Sequence, residues 1–424
     1  MNYDLFPKQS YLCLDVKSFY ASAAAVKRGL DPLHCKLAVV GDTKRQGSVV
    51  LAATPKLKEW GIKTGSRLWE IPKHEDIHIV NAEMEEFLII STEITKLIEE
   101  YVPPEDVWCY SIDESFIKLT SKRMKGRDNQ EAFSRHLQEA IKLSFGLTVA
   151  VGSSECNMLL SKVALDIEAK KKPNHFAHWD HDDVPNKLWP IQPLSDLWGI
   201  GRNIEKKLMN MGIRSVGQLA RTPVDRLEKV FGRVMGQQLY QHAWGVDLSD
   251  IHKPAKIKAK SYSSGQILLR DYLGEEEIKV PLLERCEEIA RRARKDRMAG
   301  RTLSLGVGYS HEQGGGGFSR QLKLSHSTNI TMELYEHCMK LFKRYYNGMI
   351  IRQVHVSLSD VADDSVRQIS LFEDEKEITR KRQLGYTMDA IRDRFGSTAI
   401  LRASSYTKAG TALHRSGLIG GHKK

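Results

Sequence analysis

The chain has 424 residues, enough for about three domains at roughly 150 residues each. Its 64 Lys and Arg residues outnumber its 53 Asp and Glu residues, and the net charge of +11 favours a polyanionic partner, with nucleic acid as the first candidate and an anionic membrane surface as the second. The first residues lack a signal-peptide pattern and no apolar run reaches the roughly 18 residues of a membrane helix, so we expect a soluble intracellular protein.

The first 175 residues alternate between strand and helix patterns. Apolar runs typical of strands occur near residues 11–15, 37–40, 48–53, 77–80, 107–119 and 147–152. Helical periodicity occurs near residues 84–100, 131–145 and 156–170. This order predicts a mixed α/β domain. The segment Ala52–Gly61 is rich in small and basic residues and predicts a separate small lobe between the first and fourth strands.

Three carboxylates lie where two of these apolar strands end. Asp15 follows the run Tyr11–Leu14, and Asp113 and Glu114 interrupt the run Val107–Ile117. Carboxylates are costly to place against a hydrophobic sheet unless they are neutralised, and a metal ion is the usual neutralising partner. The pattern predicts a magnesium site. A plain hairpin turn is the alternative explanation for Asp113 and Glu114.

Short helices with interspersed glycines replace the strand pattern over residues 190–249. The turn that contains Gly199 and Gly201 points backbone N–H groups outward at the start of a helix, a geometry that suits phosphate. A looser copy at Phe231–Gly236 favours a grip on a duplex backbone, although glycines that simply end helices are the alternative. The basic run at residues 250–260 predicts a tether between domains.

Residues 261–360 give the order strand, helix, strand, strand, helix, strand. The first helix is predicted over Pro281–Met298, with its basic residues, Arg294 among them, largely on the outside. The strands near residues 302–309 and 353–359 alternate apolar with small or polar residues, which predicts one packed face and one flat polar face. A phosphodiester backbone could lie on the polar face, and ordinary solvent exposure explains the alternation equally well.

The segment from Asp363 onward is charged, apart from an apolar island at Ile369, Leu371 and Phe372. Such an island in a polar segment is typical of a docking site for a partner. A helix is predicted near residues 376–395. The cysteines lack the close pairs that zinc sites use and are predicted to be reduced and mostly structural. They are Cys13, Cys35, Cys109, Cys156, Cys286 and Cys338.

Together these features resemble the Y-family translesion DNA polymerases, in the branch of the bacterial DNA polymerase V catalytic subunit and the Gram-positive ultraviolet-damage-repair proteins. The resemblance is carried by Leu14–Ser22, Ser111–Ser115, Val149–Ser154 and Leu160–Asp166. It implies a multidomain α/β fold, a right-hand polymerase with palm, small fingers, tandem helix-hairpin-helix thumb and α/β little finger. The implied boundaries are palm 1–20 and 81–175, fingers 21–80, thumb 176–249, basic linker 250–260, little finger 261–362 and C-terminal tail 363–424.

The resemblance assigns the metal ligands. Asp15, Asp113 and Glu114 would hold two Mg²⁺ ions, with the main-chain carbonyl of Val16 as a further ligand. Asp15 and Asp113 would bridge the ions, and Glu114 would bind nearer the primer end. One ion would activate the primer 3′-hydroxyl and the other would hold the triphosphate.

The resemblance also assigns nucleotide contacts. Tyr20 aligns with the steric gate that rejects ribonucleotides, and its neighbour Phe19 belongs to the nucleotide-binding set, with its ring packed into the core. Lys58 and Lys170 would meet the triphosphate. The assignment of Lys170 could shift within the run 170–172, and a solvated surface run is the alternative reading of these lysines.

Two positions depart from the family pattern. Pro55 stands where many members place a tyrosine that contacts the triphosphate, and Lys17 stands where many have an acid or an asparagine. Neither change removes a proposed metal ligand. Both leave the affinity for nucleotide open.

Contacts to DNA and to a protein partner complete the assignment. Primer-template DNA would be bound through Gly199, Gly201, Arg202, Lys258 and Lys260. The peptide Gln368–Phe372 resembles the sliding-clamp-binding peptide of bacterial replication proteins, and its anchors would be Gln368, Leu371 and Phe372. Accessory subunits are a further possibility in this branch, and DNA as the substrate would place the protein in the cytoplasm at the nucleoid.

The implied function is error-prone, template-directed DNA synthesis past lesions in SOS-type repair, with dNTPs added to a primer 3′-hydroxyl. One alternative is a catalytically idle relative that binds damaged DNA and is recruited through the clamp, against which the intact acid triad argues. Another is a nucleotidyl cyclase, which would leave the glycine hairpins and the clamp-like peptide unexplained.

Overall fold

The computed structural model describes residues 1–121, 124, 126–253, 259–365 and 375–424. The chain forms two compact units, one of Met1–Ala255 with His422–Lys424 and one of Lys256–Gly421. Within the described residues, no helix is long and apolar enough to cross a membrane. All six cysteines are free, as the sequence predicts.

Strands and helices are mixed over the first 175 residues of the first unit, as predicted. The strands are β1 (Tyr11–Val16), β2 (Lys36–Val40), β3 (Val50–Ala53), β4 (Ile77–Asn81), β5 (Val107–Cys109), β6 (Glu114–Lys118), β7 (Val149–Ser154) and β8 (Phe176–His178). The helices are α1 (Phe19–Lys27), α2 (Pro55–Glu59), α3 (Met84–Glu99), α4 (Arg127–Phe145), α5 (Met158–Ile167), α6 (Arg202–Asn210), α7 (Val216–Ala220), α8 (Val224–Phe231) and α9 (Arg233–Ala243).

Strand β1 is the centre of a five-stranded sheet with the order β5-β6-β1-β7-β8. Its residues Tyr11–Leu14 are buried as a continuous apolar run, because helices cover both faces of the strand. Leu14 and Val16 face α3 and α4. Side chains alternate along a strand, so Cys13 and Asp15 face the opposite side, where α5 packs. The only carboxylate of β1 is therefore directed towards α5 and the segment that follows it.

The predicted small lobe has its own sheet and its own core. Strand β2 lies between β3, which is antiparallel to it, and β4, which is parallel. Helix α2 begins at Pro55, whose fixed φ suits the first helical position. Leu57 on the same helix is fully buried in the core of the lobe. Because Leu57 fixes this short helix, its neighbour Lys58 is held at a defined place on the lobe.

Residues 190–249 contain short helices and no strand, as predicted. Their core is continuous with that of α5, and it includes Leu208 of α6 and Leu239 of α9. Helices α8 and α9 meet at Gly236, where a Cβ atom would lie 2.7 Å from the backbone nitrogen of Glu228. This glycine is required for close helix packing, so the looser repeat has a structural role besides any phosphate contact.

The second unit is a four-stranded antiparallel sheet with the order β11-β10-β12-β9, packed on two helices. Its strands are β9 (Tyr262–Tyr272), β10 (Met298–Tyr309), β11 (Gly317–Thr328) and β12 (Ile351–Asp363), and its helices are α10 (Gly274–Lys295), α11 (Thr331–Tyr345), α12 (Glu375–Phe395) and α13 (Ala412–Ser416). The short strands β13 (Leu418–Ile419) and β14 (His422–Lys423) follow in the chain.

The prediction for α10 is wrong at both ends, and the helix ends at Lys295, before the predicted Met298. The helix begins at Gly274 and not at Pro281, because Glu275, Glu276 and Glu277 fill a first turn in which acids are favoured by the helix dipole. Pro281 lies inside the helix and is not a start signal.

Arg294, predicted to lie outside, is buried. Its guanidinium donates two hydrogen bonds to Asp389 of α12 and a third to the carbonyl of Asn329. A helix that is distant in the sequence therefore covers the face that periodicity within α10 assigns to solvent.

Candidate active site

The three predicted acids lie together at one end of the β1–β6 pair. Asp15 pairs with Glu114 in the antiparallel register. Asp113 precedes β6, and its carbonyl accepts a 2.9 Å hydrogen bond from the N–H of Val16. The hydroxyl of Ser111 donates a 2.7 Å hydrogen bond to the Asp113 carboxylate. Strand pairing thus brings together residues that are about a hundred positions apart in the sequence.

Glu114 is buried and has two partners on its side of the sheet. Lys162 of α5 lies 2.8 Å from its Oε1 atom, and the Cys13 thiol donates to the same oxygen at 3.2 Å. Burial, assisted by Glu114, raises the pKa of the Cys13 thiol well above its usual value, so the thiol keeps its proton and serves as a donor. Glu114 therefore lies between a buried cation and a neutral donor.

Asp15 is a carboxylate whose charged form is disfavoured by burial. Burial raises its pKa to about 6; Asp113 and Glu114 add to the rise, and Lys170 opposes it. The Lys170 Nζ atom lies 2.9 Å from Asp15 Oδ2. Although burial opposes it, the contacts with Asp15 and Asp166 raise the pKa of Lys170, which therefore stays charged. The three carboxylates therefore form a cluster of negative charge that the neighbouring lysines neutralise only in part.

The donor set fits a hard cation such as Mg²⁺. Carboxylate oxygens and a backbone carbonyl are the ligands that magnesium prefers. Among the described residues, no group of three or more His, Cys, Asp or Glu side chains is arranged to hold a metal ion. Asp15 and Glu114 are instead paired with lysines.

A cavity of about 500 Å³ opens beside these acids, between the five-stranded sheet and the small lobe. It brings together seven of the predicted site residues: Asp15, Val16, Phe19, Tyr20, Lys58, Asp113 and Lys170. Both departures from the family pattern, Lys17 and Pro55, line it as well. It also includes residues that the sequence reasoning missed, among them Ser18 and Thr64.

Three lysines line the cavity: Lys58 on the small lobe, Lys17 between β1 and α1, and Lys170 after α5. Lys58 donates a 2.8 Å hydrogen bond to the hydroxyl of Ser18, which sits in the left-handed conformation between β1 and α1. Burial lowers the pKa of Lys58; Asp15 opposes this effect, and Lys170 and Lys17 add to it. Three ammonium groups in one half-buried cavity favour an anion with several negative charges.

The two aromatic residues at the start of α1 differ in their burial. Phe19 is buried, and Tyr20 is half-buried and stacks on Phe87 of α3, with 4.7 Å between ring centroids. Burial, followed by the charge of Asp113, raises the pKa of the Tyr20 hydroxyl. This stacking holds the Tyr20 ring in place where it lines the cavity.

Within the run 170–172, Lys170 is the lysine that lines the cavity, and its contact with a triphosphate stays a prediction. Helix α5 ends at Ile167 and not at residue 170 as predicted, and a 3₁₀ turn at Ala169–Lys171 directs Lys170 to Asp15. Lys172 pairs with Glu168 instead. The sequence reasoning assigned no role to Lys162 or Asp166. Their spacing with Lys170 is i, i+4, i+8, which is a signal that could have found them.

Comparisons with known proteins decide the family. The impB/mucB/samB family model matches residues 14–166, its C-terminal domain matches 259–371, and the DNA polymerase-iota thumb domain matches 195–247. UvrX of Bacillus subtilis (strain 168), which is named for UV-damage repair, is 53% identical to this chain over 424 residues, and the match covers 100% of both chains. DNA polymerase IV 2 of Halalkalibacterium halodurans is 39% identical over 415 residues, 97% of this chain and 98% of that one. The chain belongs to the Y-family DNA polymerases.

A solved Y-family polymerase chimera of Dbh and Dpo4 shares the fold of this polymerase. The TM-score is 0.66 at 18% identity, and the match covers 84% of this chain and 99% of the other. These findings confirm the family, the multidomain α/β polymerase fold and the enzyme class predicted from the sequence.

The polymerase has its two glycine hairpins in the thumb region. Gly199 has a φ of +92°, and Gly201 caps α6 without a side-chain hydrogen bond, so the first N–H groups of the helix remain open to a ligand. Arg202 is exposed at the first helical position. The second hairpin repeats the arrangement, with Gly232 at +80° followed by Arg233 of α9.

The first hairpin is tied to the catalytic strands by aromatic rings. The indole N–H of Trp198, which directly precedes Gly199, donates a 3.1 Å hydrogen bond to the Tyr110 hydroxyl. Trp198 also packs on Phe116 of β6. Tyr110 and Asp113 both lie in the turn between β5 and β6, here called the acid turn, so the thumb hairpin contacts this turn through Tyr110.

The remaining predicted contacts are those of two lysines to DNA and those of the clamp-like peptide to a sliding clamp. Lys260 is exposed at the start of the second unit and pairs with Asp296 at 2.5 Å. Lys258 and the clamp-like anchors Gln368, Leu371 and Phe372 lie outside the described residues.

Proposed function

We propose that this polymerase performs error-prone, template-directed DNA synthesis past damaged bases by a two-metal mechanism, in SOS-type repair. The observation that carries the proposal is the single cavity that holds Asp15 and Asp113 together with Tyr20, Lys58 and Lys170. The names of the relatives, DNA polymerase IV 2 and a UV-damage repair protein, support the same role.

The acids would form the metal site. Asp15, Asp113, Glu114 and the carbonyl of Val16 would hold two Mg²⁺ ions, with Asp15 and Asp113 shared between them. When bound, magnesium lowers the pKa of the primer 3′-hydroxyl and stabilises the leaving pyrophosphate. Ser111 would keep the Asp113 carboxylate oriented through the hydrogen bond described above.

The lysines and aromatic rings would bind and select the nucleotide. Lys58 and Lys170 would meet phosphate oxygens, since both ammonium groups line the cavity. The Tyr20 ring, fixed by Phe87, would clash with a ribose 2′-hydroxyl. Pro55 lines the cavity on the side of the small lobe, where many family members have a larger tyrosine. The space left beside this smaller residue would allow the cavity to accept distorted base pairs.

DNA and protein contacts would lie outside the cavity. The thumb hairpins at Gly199 and Gly232 would bind the duplex backbone through open N–H groups. The polar face of β10 and β12 would offer a surface to a phosphodiester backbone. The peptide with Gln368, Leu371 and Phe372 would recruit the polymerase to a sliding clamp at the nucleoid, with or without accessory subunits.

Primer extension across an abasic site or a thymine dimer tests the proposal. The wild type is expected to extend with Mg²⁺ and dNTPs, and Asp113→Ala should lower the rate about a thousandfold, because several kcal/mol of transition-state stabilisation depend on the metal. Glu139→Ala, which removes an exposed carboxylate of α4, is the matched control. No extension by the wild type while it binds damaged DNA would favour the idle DNA-binding alternative.

A further inference from the structure

Five charged side chains form an unbroken alternating chain across the active site. Glu114 contacts Lys162 at 2.8 Å, Lys162 contacts Asp166 at 2.7 Å, Asp166 contacts Lys170 at 2.9 Å, and Lys170 contacts Asp15 at 2.9 Å. Both ends of the chain are proposed metal ligands. The interior members come from α5 and the turn that follows it.

The two lysines differ in how firmly they are held. The Lys162 side chain is 7% exposed and lies between two acids inside the fold, whereas the Lys170 side chain is 36% exposed at the cavity wall. Lys170 has a flexible four-carbon stem and a second anchor in Asp166. Lys170 can therefore leave Asp15 without losing its other acidic partner, and Lys162 cannot move in the same way.

The position of Lys170 conflicts with a cation on Asp15. Its ammonium lies within hydrogen-bond distance of Asp15 Oδ2, so a metal ion at that oxygen would meet a like charge at short range. A triphosphate in the cavity would offer Lys170 a stronger anionic partner.

We propose that Lys170 is the counter-ion of Asp15 in the nucleotide-free polymerase, and that it turns about Asp166 from Asp15 to the triphosphate when a nucleotide binds. Asp166 is then a positioning residue for Lys170. This inference rests on the proposed use of the cavity for nucleotide. It adds a coupling between metal binding and nucleotide binding that does not depend on direct contact between the metal ion and the nucleotide.

Coupling of this kind is reciprocal: each ligand raises the affinity for the other by the same factor. Removing Lys170 should therefore change the two affinities in opposite directions. Metal should bind the nucleotide-free protein more tightly, because its competitor is gone, and dNTP should bind more weakly. A purely structural lysine would weaken both, and a pure phosphate ligand would leave metal binding unchanged.

The first experiment compares Lys170→Met with wild type. Mn²⁺ binding to the full chain is measured by electron paramagnetic resonance without DNA or nucleotide, and the KM for dNTP is measured by primer extension. We expect Mn²⁺ to bind about fivefold more tightly, at the low end of typical couplings, and the KM to rise at least as much. Lys172→Met, which removes the partner of Glu168, is the matched control. Asp15→Asn identifies the Mn²⁺ signal that belongs to this site.

A second variant keeps the inference testable if Lys170→Met does not fold. In Asp166→Asn, Lys170 loses its other anchor and should stay on Asp15, so Mn²⁺ should bind more weakly and the KM for dNTP should rise with kcat nearly unchanged. Asp166→Glu should restore both values. The double variant with Lys170→Met should bind Mn²⁺ as tightly as Lys170→Met alone.

Unchanged or weaker Mn²⁺ binding by folded Lys170→Met would overturn the inference, as would tighter binding by Asp166→Asn. The Mn²⁺ measurement does not involve synthesis. If the wild type fails to extend primers yet Lys170→Met tightens Mn²⁺, the proposed function fails while the counter-ion role of Lys170 stands.

Discussion

Replacement of Asp15 by asparagine should stabilise the metal-free polymerase at neutral pH. The pKa of Asp15 is raised from its ordinary 3.8 to about 6, so the folded state disfavours the charged form. A raised carboxyl pKa contributes stability that is fully present below pH 3.8 and is lost as the pH rises through about 6. At pH 7.5 Asp15 is mostly charged, and the wild type has lost the stability that the protonated carboxyl contributes. The asparagine variant has no charge at this position and avoids that loss.

The size of the effect follows from the shift. About two pKa units correspond to about 3 kcal/mol, and this value already includes the opposing effect of the ion pair with Lys170. The expected gain of about 3 kcal/mol raises the melting temperature of the first unit by about 8 °C.

Thermal unfolding in EDTA at pH 7.5 and pH 4 measures this difference. We expect Asp15→Asn to melt higher than wild type at pH 7.5, and the advantage should disappear at pH 4. Mg²⁺ should stabilise wild type more than the variant, because the variant lacks a ligand. An equal advantage at both pH values, or a lower melting temperature at pH 7.5, would refute the electrostatic reasoning.

Three further changes test other parts of the site. Tyr20→Ala should admit ribonucleotides while DNA synthesis continues, and unchanged discrimination between dNTP and rNTP incorporation would remove Tyr20 from the gate. Trp198→Phe deletes one hydrogen bond, of about 1 kcal/mol, between thumb and palm. The affinity for primer-template DNA should therefore fall about fivefold while the KM for dNTP stays constant. A change confined to the KM for dNTP would contradict a role of this hydrogen bond in DNA binding. Alanine at Gln368, Leu371 and Phe372 should abolish stimulation by a sliding clamp and spare distributive synthesis, whereas a surviving clamp response would exclude this peptide as the contact.

Sequence patterns were most informative where a residue's role depends on its own strand or helix. The apolar run before Asp15 predicts a central buried strand, and its period of two decides which face the carboxylate occupies. Patterns failed where a distant segment changes the environment. Arg294 has the periodicity of a solvent-facing position, yet α12 covers it and Asp389 neutralises it.

The sequence by itself indicated the polymerase family through a resemblance, and it singled out the three acids, the aromatic pair at the start of α1 and the lysines Lys58 and Lys170, because these are recognised by residue type and local spacing. Only the tertiary structure decided which lysine of the run reaches Asp15, that Lys162 and Cys13 hold Glu114, and that Trp198 joins the thumb hairpin to the acid turn. The physical reason is that ion pairs and ring contacts depend on distances across strand register and helix ends. A shift of one residue at the end of α5 would have selected another lysine.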